Sequence, residues 1–326
     1  MEDIEVLNKI LYDFTYDSEF SDELYMEDFN LLLGFKSIIL DNKTIFIQSD
    51  YHKHVKLTKS IKYSYEFLKT LDKSYADKLM ENIQNGIINL YPRKKDEITI
   101  ASLEVDREKR CNKITIPYNS TIEDVYTLTH EQLHDTNMDP SRLNTTCCLL
   151  TEMISFLGDL LQRDYFEKGT TTPKEYRKNM NDAFFATRIY AMKAEMELDL
   201  IRRFLNKGFI DFQDMRDICK SKTVEELEII NDNIEEILEN GELNLQKSQK
   251  YVIGNVLACY LHQRILDNPK NIKEFNEVNE LLNIYSEEEI FEYLGLDILE
   301  DSKFFNLTQD SYKVLRKCYN NEIKRL

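Results

Sequence analysis

Two histidines four residues apart, with a glutamate directly after the first, constrain this chain more than any bulk property. They stand in Thr129-His130-Glu131-Gln132-Leu133-His134-Asp135, an H-E-x-x-H pattern. On a helix, positions i and i+4 share a face about one turn apart. His130 and His134 can therefore offer two imidazoles to one cation, and Glu131 projects beside them, within reach of a water. Zinc suits such a set, because it accepts neutral imidazole and keeps one position open for water in catalytic sites. The flanks agree with a helix. Ser120 and Glu123 have capping-box spacing, which predicts a start near Thr121. Ile122, Val125, Leu128 and Leu133 supply apolar anchors, and Met138-Asp139-Pro140 predicts the end.

Two imidazoles leave a metal under-coordinated, so the sequence must provide a third ligand. Asp139 with Pro140 predicts the start of a second helix, running through Cys147, Leu150, Ile154, Leu157 and Leu161 to about Phe166. Glu152 lies on its otherwise apolar face. A buried carboxylate is costly unless it is paired or bound to metal. Glu152 is therefore the expected third ligand, with pairing to an arginine such as Arg188 as the alternative and Cys148 as a competing soft ligand. Asp159, on the same face, is expected to accept a hydrogen bond from the free nitrogen of a metal-bound histidine. His262 is expected on a helix surface. A second metal site at His52 and His54 has little support.

The rest of the chain reads as mainly α. With 8 Gly and 5 Pro in 326 residues, long helices are favoured over a turn-rich β fold. Residues 36–48 read as a β-hairpin within an N-terminal extension, residues 1–79. Helical periodicity runs from about Val55 to Leu90. Short β runs at Glu97–Val105 and Lys113–Tyr118 lead into the motif helix, which predicts a small sheet beside it. A long helix is expected from Pro173 to about Leu205. Residues 80–326 are taken as one helical catalytic domain.

Charge and cysteine usage limit the function classes. The net charge of -17 disfavours nucleic acid and anionic membrane as partners. No apolar run approaches the roughly 18 residues that span a bilayer. The acidic start Met1-Glu2-Asp3-Ile4-Glu5 is unlike a signal peptide. Cys111, Cys147, Cys148, Cys219, Cys259 and Cys318 show no C-x-x-C spacing and read as reduced thiols, which fits a cytoplasmic protein.

From Ile116 through Glu131, the approach to the motif resembles that of the thimet oligopeptidase and oligoendopeptidase F zinc peptidases. Glu152-Met153-Ile154-Ser155 is similar to the family's E-x-x-S, which carries its glutamate ligand. Ala194-Glu195-Met196-Glu197 is similar to its F-A-E-F-E segment. Tyr251-Val252-Ile253-Gly254, followed by Ala258, resembles its Y-A-T-G helix, and Leu294-Gly295-Leu296-Asp297 its C-terminal end. The resemblance spans roughly residues 80–326. It implies a gluzincin-type helical metallopeptidase domain with one Zn2+ ion, acting on peptides or proteins. By the same resemblance, Tyr251 is the candidate donor to the developing oxyanion. The sequence departs from the family in carrying Leu133 where a glycine is usual, and in a shorter loop between His134 and Glu152. Asn244 to Lys250 lacks the usual His and second Tyr of the substrate loop, and the large N-terminal helical half has no counterpart. Two other readings remain at this stage: a regulatory protein that keeps a metal-stabilised core, and a protease dedicated to one partner protein.

Overall fold

The fold follows from a computed structural model that describes residues 2–17, 54–94, 101–106, 111–137, 151–168, 173–281, 284–285 and 287–295. The expected hairpin at 36–48, His52, Cys148 and the final helix lie outside these residues.

Two compact units divide the chain. The one that carries the motif is built around a helical hairpin, a three-stranded sheet and two facing helices. The hairpin pairs α2 (Leu57–Leu71) with α3 (Lys73–Gln84), α1 (Glu2–Tyr12) belonging to the other unit. Asp72 separates the hairpin's two helices and caps the second, its side chain accepting from the Ser74 N–H at 2.7 Å. The expected single helical stretch to Leu90 is corrected here. Gly86 adopts φ +71°, a left-handed conformation that ends the helix, and Ile88–Pro92 forms strand β1. The Asn85-Gly86 pair was the turn signal that the apolar spacing masked.

Strands β2 (Ser102–Asp106) and β3 (Cys111–Tyr118) complete a sheet of order β1-β3-β2. β1 runs parallel to β3, with Ile88 opposite Ile114 and Leu90 opposite Ile116. β2 runs antiparallel, with Leu103 opposite Ile114. Period-two alternation puts Ile114 and Ile116 in the core and leaves Lys113 exposed. β3 feeds α4 (Glu123–Asn137), which carries the motif.

The start of α4 differs from the capping box expected at Ser120 and Glu123. Ser120 sits at φ +57°, and Asp124 instead accepts from the N–H groups of Asn119 (2.8 Å) and Thr121 (3.0 Å). The helix therefore begins two residues later than predicted. Val55, Ile122, Val125, Tyr126 and Phe166 form an apolar cluster under this turn. Facing α4 is α5 (Thr151–Glu167).

The remaining described helices are α6 (Pro173–Lys207), α7 (Phe212–Cys219), α8 (Val224–Asn240), α9 (Leu245–Asp267), α10 (Ile272–Leu281) and α11 (Glu287–Tyr293). The unit boundary falls within α6 and within α9, so each contributes residues to both. In the second unit, Asn8 of α1 clasps the backbone of Ile210 through two hydrogen bonds, 2.6 and 2.8 Å. Asp211 and Thr223 form capping boxes on α7 and α8. The buried carboxylate of Glu197 on α6 accepts from Asn233 of α8 at 2.9 Å. Among the described residues, no helix is long and apolar enough to cross a membrane.

Candidate metal centre

Helix geometry brings His130 and His134 onto one face of α4, and α5 lays Glu152 against them. The Nε2 atoms of the two imidazoles are 3.1 Å apart. Glu152 Oε2 lies 3.1 Å from His134 Nε2 and 3.5 Å from His130 Nε2. Each residue thus turns one ligand atom toward a common point. Four donors around zinc at about 2.0–2.1 Å would be separated by about 3.3 Å, the edge of a tetrahedron of that size. The three observed edges bracket that value.

The donor chemistry leads to the same conclusion. His130 Nδ1 is 2.9 Å from Asp159 Oδ2. When Nδ1 donates to that carboxylate, Nε2 of the neutral ring keeps a lone pair facing inward. Two such nitrogens and a carboxylate oxygen repel one another unless a cation sits between them. Without a metal, that cation is a proton. Burial opposes charge on His130, but the carboxylates of Asp159 and Glu152 outweigh it and hold its pKa well above the usual imidazole value. Burial likewise opposes charge on Glu152, yet His134 and His130 hold its pKa well below the usual carboxylate value. The residues therefore fit a metal ion, and the N/N/O set suits zinc.

A stripe on α5 builds this arrangement. Glu152, Ser155, Asp159 and Gln162 recur at intervals of three and four residues, so they line one face. Each addresses α4. Ser155 Oγ donates to the His130 carbonyl at 3.2 Å, and Gln162 Nε2 donates to Thr129 Oγ1 at 2.7 Å. Leu133 is fully buried. Its Cδ1 occupies the place a Cβ would take at Gly158. The bulk added on one helix is accommodated by a glycine on the other. Gly254 of α9 plays a similar part: a Cβ there would lie 2.8 Å from Glu152 Cβ and 3.0 Å from Met153 N. Its missing side chain lets α9 pass directly over the ligand.

Glu131 is 8% exposed, one residue past His130 on α4. Tyr251 lies in the other unit, on the part of α9 before Gly254, where its ring stacks on Tyr190 at 4.2 Å and Lys250 sits 5.3 Å from its centre. His262 is not on a surface. It is 2% exposed and pairs with Asp164 Oδ2 at 2.8 Å, because α9 packs that face against α5. His54 is exposed.

The sequence reading missed a polar network beneath α4. Asn82 of α3 donates to Gln132 Oε1 at 3.0 Å and to Asp135 Oδ2 at 2.8 Å. Asn112 of β3 donates to Asp135 Oδ1 at 2.7 Å, and Lys78 Nζ lies 2.8 Å from Asp135 Oδ2. The available signal was Gln132 and Asp135 themselves: two polar residues three apart on a helix face that also has to be buried.

Comparison with known proteins bears on the fold. No protein-family model and no curated protein sequence matches the chain. Solved structures do match its fold. A protein assigned as an oligoendopeptidase F from Bacillus anthracis str. Ames superposes with a TM-score of 0.64 at 12% identity, over 95% of this chain and 59% of that one. An inhibitor complex of PZ peptidase A gives 0.60 at 13%, over 95% and 61%. A protein assigned as a peptidase from Chlamydophila abortus gives 0.55 at 17%, over 96% and 54%. The chain therefore spans little more than half the length of these proteins, and across that span it has the helical fold, with a small sheet beside the motif helix, of oligoendopeptidase F-type peptidases.

Proposed function

We propose that the chain is a zinc-dependent metallopeptidase acting on peptides or proteins in the cytoplasm, with residues 80–326 as its catalytic portion and residues 1–79 as an extension. The observation that carries this reading is the convergence of His130, His134 and Glu152 at zinc-sized separations. These three hold the ion, and Asp159 fixes the tautomer and orientation of His130. When bound, zinc supplies the positive charge that acidifies a water and polarises a peptide carbonyl.

The remaining chemistry belongs to side chains. The Glu131 carboxylate takes the proton of the attacking water and passes it to the leaving amine nitrogen as the C–N bond breaks. Tyr251 donates its phenolic proton as a hydrogen bond to the developing oxyanion. That role rests on its place in a segment resembling the family's Y-A-T-G. β2 lies at one edge of the sheet and packs near α4. An extended substrate can add to such an edge through its backbone.

The test is cleavage of a mixed peptide library by zinc-loaded protein. Hydrolysis should vanish with chelator, return with zinc, and be absent in Glu131→Gln although that variant still binds zinc. Zinc binding without hydrolysis of peptides or of any protein substrate would favour the regulatory reading.

A further inference from the structure

The two histidines of the site are held by different means. His130 is oriented through its ring, by the 2.9 Å contact between Nδ1 and Asp159. His134 Nδ1 is buried and has no hydrogen-bond partner among the described residues. Among the described residues no hydrogen bond at Nδ1 fixes that imidazole, so its position depends on its backbone and on its edge contact with the His130 ring at 4.8 Å. That backbone lies in the last turn of α4, which ends at Asn137. The final four carbonyls of a helix have no partner within it, and helix ends fray. A ligand placed there needs an external anchor.

Asp135, the next residue, is tied down at every oxygen. Its carboxylate accepts from Asn112 at 2.7 Å on Oδ1, and from Asn82 and Lys78 at 2.8 Å each on Oδ2. Its backbone carbonyl accepts from Lys78 Nζ at 3.1 Å. The donors come from α3 and from β3, neither of which supplies a residue of the ligand cluster. Asp135 is only 4% exposed and Asn82 2%. A carboxylate with that little exposure is tolerated because three donors, one of them charged, satisfy it.

Accepting that the His130–His134–Glu152 cluster binds zinc, we infer that Asp135 is the positioning residue for His134: clamped by Lys78, Asn82 and Asn112, it holds the last turn of α4 in the metal-binding conformation before the ion arrives. It does not touch the metal. Its effect on affinity comes through the fraction of protein whose last turn is ordered, since apparent affinity falls in proportion to that fraction.

The experiment is chelator-competition measurement of zinc affinity, at a temperature where circular dichroism shows each apoprotein folded. Asp135→Ala should bind zinc about tenfold more weakly or worse, as expected for loss of charge-assisted bonds that hold an otherwise frayed turn. Asp135→Asn should fall between, because its amide presents a donor where one of the three donors needs an acceptor. Lys78→Met should also weaken binding, since it removes both the carboxylate and the carbonyl contact. Amide exchange in the last turn of α4 should speed up in apo Asp135→Ala. Saturating zinc should restore its turnover. Leu68→Ala, a core truncation in α2, serves as the control: it should lower the melting temperature and leave zinc affinity unchanged. Wild-type zinc affinity in Asp135→Ala would overturn the inference. So would a loss in Leu68→Ala equal to that in Asp135→Ala. Neither result touches the peptidase reading. Conversely, zinc binding without hydrolysis would sink the peptidase reading and leave the anchor intact.

Discussion

Gly254→Ala adds one methyl group where α9 crosses Glu152, the proposed third ligand. A Cβ built at Gly254 meets Glu152 Cβ at 2.8 Å, Met153 N at 3.0 Å and the Glu152 carbonyl carbon at 3.2 Å. Carbon atoms in ordinary contact sit about 3.5–4.0 Å apart, so the shortfall is of order 1 Å. Two of the three atoms are backbone, and the third is the root of the ligand side chain. None can swing aside, so α5 must move at Glu152 or α9 must lift. Metal sites tolerate displacements of only about 0.2 Å in their ligand distances. Overpacking of this kind costs about 1–3 kcal/mol, against about 1 kcal/mol gained because alanine favours a helix over glycine. If the residual strain falls on the ligand, zinc affinity drops by roughly tenfold or more, at about 1.4 kcal/mol per factor of ten. The assay is chelator competition for zinc, with apoprotein melting temperature measured in parallel. The reasoning is refuted if Gly254→Ala binds zinc as tightly as wild type and melts higher, the signature of helix propensity acting alone.

Other substitutions probe neighbouring parts of the account. Leu133→Ala should destabilise by about 2–5 kcal/mol, and adding Gly158→Ala should recover part of that loss because the new methyl enters the vacated space; urea unfolding that shows the two changes to be merely additive would contradict the pairing of Leu133 with Gly158. Asp159→Asn should weaken zinc binding about 10–100-fold; in metal-free protein it should also lower the His130 pKa, as followed by the ring resonances, since the Asp159 charge that raises it against burial is gone. Burial raises Glu197 to about 7 from 4.5, against the pull of Asn233, Lys193 and the Asn244 N–H. Stability from its neutral form is therefore complete below the unfolded pKa and is lost as pH rises through about 7, a change of roughly 3 kcal/mol. Glu197→Gln should flatten that slope between about pH 4.5 and 7, and an unchanged pH profile of unfolding would contradict it.

Periodic, local features were the legible part of the sequence. The 3.6-residue spacing gave the motif helix, the carboxylate helix and the long α6, and alternation gave β2 and β3. The convergence of His130, His134 and Glu152 followed from residue type on two successive helices. Long-range complementarity was not legible. Leu133 looked like an intrusion until Gly158 on the facing helix was seen to make room for it. Nothing local marks Asp135 as a partner of Asn82 and Asn112, which lie 53 and 23 residues away. His262 read as a surface residue because its partner Asp164 lies 98 positions earlier. β1 was hidden because Ile87, Ile88 and Leu90 continue a helical apolar spacing through a turn that Gly86 enforces. Such pairings are set by tertiary packing, and a single sequence holds no local record of them.

The claim on which the account depends is that these three side chains hold one cation. X-ray absorption at the zinc edge of the loaded protein reads this directly. The expected result is one zinc per chain with only nitrogen and oxygen neighbours at about 2.0–2.1 Å, two of them imidazoles, and loss of an oxygen neighbour in Glu152→Ala. A sulfur neighbour near 2.3 Å, or an identical spectrum from Glu152→Ala, would contradict it.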